Sequence, residues 1–301
     1  MFSPILTPGR TLVADGAMAT NLFDRGLRLG DPAELWNATR PAEVRRLHGD
    51  FVAAGACLLL TNSFGGHPSR LRAHGLADRV VELNRLAAEH ARAAAQAATP
   101  PVLVAGAVGP TGLRTLTTET ADGFEAQMAA LASGGVDLLW IETMSDPDEM
   151  RVAAEAAAAT GLPYGLTASF DAAGRTPRGL DAAAVARHAA SFPVPPVAIG
   201  ANCGAGIAPL LRDVVAMRAA APRLPVVAKA SAGLPHLRDG RLRYPLTPEH
   251  MATYARAAVT AGGAVVGGCC GTTPAHVAAM AAALTLPIAA SRELAPTPFT
   301  S

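Results

Sequence analysis

The chain has 301 residues, half of them hydrophobic but only 4% aromatic, with a formal net charge of +1. That length suits either two ordinary domains or one large α/β barrel. The small charge, without any Lys/Arg block, excludes a broad electrostatic footprint for nucleic acid. No apolar stretch reaches the ~20 residues of a membrane span, and residues 1–10 lack the apolar core of a signal peptide. Four cysteines make no disulfide framework, so a cytoplasmic protein using its thiols for metal or redox chemistry is expected. Its expected partners are small-molecule substrates; a homo-oligomer is compatible with the sequence, which does not encode its order.

Eight apolar runs, at 11–14, 57–61, 102–107, 138–141, 164–169, 197–201, 226–230 and 264–266, alternate with helical patterns. The helices are expected near 42–54, 77–97, 121–133, 146–160, 181–191, 209–220, 248–261 and 274–284. Start signals support them: Thr247-Pro248, Thr273-Pro274, and Ser145-Asp146-Pro147 leading to Glu149. Apolar strands without alternation suit a parallel sheet buried on both faces. Eight consecutive β-α units predict an α/β fold, a (β/α)8 TIM barrel. An open doubly wound sheet would want a Gly-x-Gly-x-x-Gly turn, which is missing. No composition shift marks a second domain, so 1–301 is expected to be one domain, with a core of about 10–285 and a tail at 287–301.

The unusual residues follow the strands. Asp15-Gly16-Ala17-Met18 follows the first, Asn62-Ser63-Phe64-Gly65-Gly66 the second and Gly109-Pro110-Thr111-Gly112 the third. Glu142-Thr143 closes the fourth, Asn202-Cys203-Gly204 the sixth and Gly267-Gly268-Cys269-Cys270-Gly271 the eighth. In a TIM barrel all of these meet on the C-terminal face, where active sites lie. An isolated Cys-Cys pair is more often buried packing than a site. Three thiolates converging from two strand ends would instead form an open zinc site, its fourth position free for substrate. Cys57 starts a strand at the opposite end and reads as packing. His67 and His276 read as loop or helix-start residues.

Asp15-Gly-Ala-Met18, Thr61-Asn-Ser-Phe-Gly-Gly66, Ala105–Gly112, Gly200-Ala-Asn-Cys203 and Gly267-Gly-Cys-Cys-Gly-Thr-Thr-Pro274 together resemble the zinc-dependent homocysteine S-methyltransferase family. The resemblance spans roughly residues 10–285. Within the family, Ala33-Glu-Leu-Trp-Asn37, Thr61–Gly66, Asp137–Thr143 and Gly200–Gly204 look most like bacterial betaine–homocysteine methyltransferases. It implies methyl transfer from an onium donor, glycine betaine first, to homocysteine, giving methionine. It implies Zn2+ on Cys203, Cys269 and Cys270, and Asp15 and Glu142 on the homocysteine amino group. Gly16 and Ala17 are expected to offer N–H groups to the substrate carboxylate, although Asp15 also fits a turn or cap role. Asn202 and Gly268 are expected to support the ligand loop. Trp36 and Phe64 are the aromatic candidates for holding a donor cation.

Two departures bear on the donor. Gly65 stands where animal betaine enzymes carry an aromatic, and Thr143 where they carry tyrosine. A sulfonium donor (S-methylmethionine or dimethylsulfoniopropionate) and a methylcorrinoid protein are the alternatives. A zinc hydrolase or lyase would need a metal-bound water and a general base, which a sulfur-rich ligand set disfavours. A non-catalytic zinc- or thiol-binding barrel is the reading from another class.

Overall fold

The computed structural model describes residues 11–238 and 241–285; the 287–301 tail and residues 1–10 lie outside them. Eight strands form the centre: β1 (Leu12–Val13), β2 (Leu58–Leu60), β3 (Leu103–Val108), β4 (Leu138–Met144), β5 (Tyr164–Ala168), β6 (Ala198–Cys203), β7 (Val226–Ala230) and, last in the chain, β10 (Gly263–Gly268). Between the last two, β8 (His236–Arg238) and β9 (Arg241–Arg243) make a separate antiparallel hairpin. The eight pair in parallel in the order β1-β10-β7-β6-β5-β4-β3-β2. The ring closes where Ala14 bridges Leu58, with Cys57 N–H donating to Val13 O at 2.7 Å and Asp15 N–H to Leu58 O at 2.9 Å. This is the TIM barrel that the β-α alternation predicts.

The strands are apolar on both faces because both faces are buried. Leu12, Leu58, Leu138, Trp140, Ala198, Val227 and Val265 fill the barrel interior. Leu59, Val104, Leu139, Leu166, Ile199 and Val266 face outward and pack against helix residues such as Leu47, Ala91, Met128 and Val214. Each fully buried side chain of this size contributes roughly 1.5–3 kcal/mol. The one large interior ring, Trp140, fits because its neighbour is Gly165, where a Cβ would lie 3.0 Å from the indole.

Helix starts behave as the sequence suggests. Asp146 accepts from the N–H groups of Asp148 (2.9 Å) and Glu149 (3.3 Å), and Thr247 forms a capping box with His250. His67 caps its helix by accepting from Ser69 N–H, and Thr273 N–H donates to His276 Nδ1 at 3.1 Å. Cys57 lies at the N-terminal edge of β2, packed against the interior cluster. Differences sit mostly in the loops: a 3-10 turn at Ala77–Arg79 takes the expected start of the 80–96 helix. The short helices Met18–Asp24, Trp36–Thr39 and Pro68–Arg72 and the hairpin carry too few residues to show a period. Strand β4 runs past residue 141 to Met144 through a register shift. Among the described residues no helix is long and apolar enough to cross a membrane.

Candidate active site

The ends of β6 and β10 bring three sulfurs together. Cys203, Cys269 and Cys270 have their Sγ atoms all within 4.8 Å of one another, with Cys203 and Cys270 at 3.5 Å. Ser231 Oγ donates to Cys203 Sγ at 3.3 Å. Cys203 is held in a left-handed conformation, φ 61°, which turns the last residue of β6 toward the partner loop. That loop is tied down by Thr272, whose Oγ1 donates to Cys269 O at 2.6 Å. Gly268 is required there, since a Cβ would lie 2.2 Å from Thr272 Oγ1. The sulfurs titrate unequally. S–H donation from Cys269 and Cys270 holds the Cys203 thiol well below its ordinary range, while Cys203 in turn pushes Cys270 up. Without a cation one thiolate is therefore shared by two S–H donors, and holding all three sulfurs as thiolates would take a compensating positive charge such as zinc.

Beside the sulfurs, Asn202 organises the opposite strand end. Its Oδ1 accepts from Thr143 N–H (2.9 Å) and Thr167 Oγ1 (2.7 Å). Its Nδ2 donates to Thr143 Oγ1 at 2.8 Å and lies 3.7 Å from Cys269 Sγ. Thr143 needs this hold, because a β-branched residue at φ 64° is strained. The bulge it creates presents Glu142, only 8% exposed and without a hydrogen-bond partner among the described residues. Burial pushes the Glu142 carboxyl up to about 7, opposed by Lys229 and reinforced by Asp15 and Cys203.

Asp15 and Lys229 form a buried ion pair in the barrel mouth. Lys229 Nζ donates to Asp15 Oδ1 at 3.0 Å, and Leu60 N–H donates to Asp15 Oδ2 at 2.7 Å. Both residues are almost fully enclosed, so both Asp15 oxygens are already occupied. Ala17 N–H is also engaged, by Thr272 O and Oγ1, each at 3.2 Å. Gly16 N–H has no partner among the described residues.

One cavity of about 390 Å³ joins these groups, a size usual for small-ligand sites. At its inner end lie Glu142, Thr143, Lys229, Gly268 and the three cysteines, with Gly16 and Ala17 beside them. Its outer end is walled by Glu34, Phe64, Gly65, Arg70 and His74. Phe64 stands at the rim, 37% exposed. Trp36 is not part of the lining: it packs on the outer core, with the Arg40 guanidinium 5.7 Å from its ring centre.

A homocysteine S-methyltransferase family model matches residues 12–284. The chain belongs to the homocysteine S-methyltransferase family. It is 33% identical over 296 residues to methionine synthase from Mycobacterium leprae, covering 91% of this chain and 24% of that protein. Against methionine synthase from Mycobacterium tuberculosis the identity is 32%, covering 25% of that protein. The chain thus spans about a quarter of the length of these relatives. Among solved structures, the metallated form of the homocysteine methyltransferase MmuM from Escherichia coli superposes with a TM-score of 0.76 at 28% identity, covering 93% of this chain and 99% of that one. Its apo form gives 0.75 at 26%. The carboxyl transferase domain of Rhizobium etli pyruvate carboxylase, at 16% identity and a TM-score of 0.53, shares the fold alone.

Sequence reading missed Lys229, Glu34 and Thr167. A lone lysine inside the apolar run Val226-Val-Ala-Lys-Ala230 was the available signal, since a buried lysine demands a partner. Glu34 gave none, because an acid in a loop ordinarily faces water.

Proposed function

We propose that the protein transfers a methyl group from a small onium donor to the sulfur of homocysteine, giving methionine, at a zinc ion held by Cys203, Cys269 and Cys270. The observation that carries this reading is one cavity holding both the three-sulfur cluster and the unpaired carboxylate of Glu142. Zinc–sulfur bonds of ~2.3 Å place tetrahedral ligands ~3.8 Å apart, a spacing these sulfurs can meet. A free alkyl thiol, with a pKa around 8.5, is mostly protonated at neutral pH; bound zinc would keep the homocysteine sulfur a thiolate.

The chain's own residues do the positioning. Glu142 accepts from the homocysteine ammonium, and that neighbouring positive charge favours its ionised form. Gly16 N–H is available for the substrate carboxylate. Lys229 and Asp15 neutralise each other beneath the site, leaving Glu142 as the acid free to read substrate. The sulfur lone pair then attacks the methyl carbon, and the carbon–onium bond breaks with its electron pair retained by the donor. No general base is required once the thiol proton has gone. Glycine betaine, the donor first expected, would call for a cage of aromatic faces; among the described residues Phe64 is the only Phe, Tyr or Trp in the lining, with Tyr244 against Cys270 beside it. The same reading treats residues 1–301 as one barrel domain acting on small molecules in the cytoplasm.

The test is metal analysis of the purified protein together with methionine formation from homocysteine and each onium donor in turn. The expected result is one zinc per chain and methionine from at least one donor. Protein that binds no zinc, or forms no methionine with any of them, contradicts the reading.

A further inference from the structure

A second cavity, of about 450 Å³, lies beside the active site and takes no part in the proposed methyl transfer. Its size is that of a small-ligand site. One wall comes from residues 20–29, and the facing wall from β9 and Tyr244. Three arginines, Arg28, Arg241 and Arg243, line it against a single acid, Asp24. Among the described residues none of the three pairs with a carboxylate. The hairpin register adds to the crowding, because Arg238 stands directly opposite Arg241. Like charges facing each other across two strands are destabilising. In a chain with a net charge of only +1, so local a concentration of cations calls for an anion.

The same cavity carries a group that reads a hydrogen-bond donor. Asn21 is only 8% exposed. Its Nδ2 donates to Ala17 O at 2.6 Å and to Thr272 O at 2.8 Å, which fixes the direction of the amide. Its Oδ1 has no hydrogen bond among the described residues and is left open to the cavity. An acceptor at that depth is costly unless an N–H group meets it. Phe23 and Tyr244 add two partly buried aromatic rings to the walls. Guanidinium forks suit phosphate oxygens, and aromatic rings stack on flat heterocycles. We infer that this cavity binds a nucleoside phosphate whose base carries an amino group. The phosphates rest on Arg28, Arg241 and Arg243, the base lies against Phe23 and Tyr244, and its amine donates to Asn21 Oδ1. The ligand sits behind the segment that holds Cys269 and Cys270. There Thr20 Oγ1 accepts from Gly271 N–H at 3.2 Å, and a Cβ on Gly271 would lie 2.1 Å from Tyr244 Cγ.

Isothermal titration calorimetry of the purified protein with ADP, inosine diphosphate, pyrophosphate and adenosine tests this. Wild type is expected to bind one ADP per chain, more tightly than any of the other three. Inosine diphosphate lacks the amine, pyrophosphate the base and adenosine the charge. Arg28→Gln and the double variant Arg241→Gln/Arg243→Gln are each expected to raise the ADP Kd roughly tenfold or more, as loss of a charge-assisted contact does. Saturating homocysteine is expected to leave the ADP Kd unchanged. All three arginines are exposed, and they lie on opposite walls, so one variant tests the site independently of the other. Absence of saturable ADP binding, an unchanged Kd in either folded variant, or pyrophosphate or inosine diphosphate binding as tightly as ADP overturns the inference. Displacement of ADP by homocysteine would put the nucleotide in the other cavity and overturn it too. None of these outcomes bears on the transferase reading, which methionine formation tests separately.

Discussion

The two ends of the cavity are built differently. The inner end is made from strand termini: Cys203 on β6, Cys269 and Cys270 just past β10, Glu142 on β4 and Lys229 on β7. Asn202, Thr143, Thr167, Ser231 and Thr272 lock these groups together by hydrogen bonds. The outer end is made from short connecting segments, the 31–35 turn and residues 64–74 with the one-turn helix Pro68–Arg72, and its charged groups keep atoms unpaired among the described residues. A metal and its nucleophile need fixed geometry, which rigid elements supply. Recognition of a second substrate can sit on loops. On the proposed reading, the acceptor site is fixed by the barrel, and donor choice is left to a few positions in the connecting segments.

Substitutions can break this contrast, beginning with the largest effect. Cys269→Ala should reduce zinc to a small fraction of one per chain and methyl transfer to background while the circular dichroism of the barrel stays unchanged; full metal occupancy would remove Cys269 from the ligand set. Lys229→Met should lower unfolding free energy by about 3–5 kcal/mol, the usual cost of stranding one member of a buried ion pair. Denaturant titration measures it, and a loss under ~1 kcal/mol would mean that the pair is not closed as described.

Further changes sharpen the difference between the ends. Glu142→Ala should raise the homocysteine KM roughly tenfold, in line with the ~1.5–3 kcal/mol of a charge-assisted hydrogen bond, and leave zinc content alone. An unaltered acceptor KM would assign Glu142 a purely structural role. Trp36→Ala should change donor KM less than about twofold, the range of substitutions away from a site. A selective rise in donor KM would place the indole back in donor binding.

The inner end was legible because its chemistry lies in residue types that stand out from apolar strands. Adjacent cysteines between glycines, Asn-Cys and Glu-Thr each close such a run, and barrel topology alone makes strand ends converge. Lys229 was legible in principle by the same contrast. Asp15 and Ala17 were placed at the mouth, but sequence cannot show that Lys229, Leu60 and Thr272 already occupy their polar groups. At the outer end the chain gave a direction without a geometry. Trp36 sits two residues from Glu34, and on this turn the glutamate faces the cavity while the indole packs outward under Arg40. Side-chain direction in an irregular loop follows no period, so the aromatic drew the notice and the acid did not.

Zinc X-ray absorption, recorded before and after homocysteine is added, tests the central claim most directly. The account predicts three sulfur neighbours at ~2.3 Å rising to four when homocysteine binds. An unchanged sulfur count on adding substrate, or a first shell without three protein sulfurs, would contradict it.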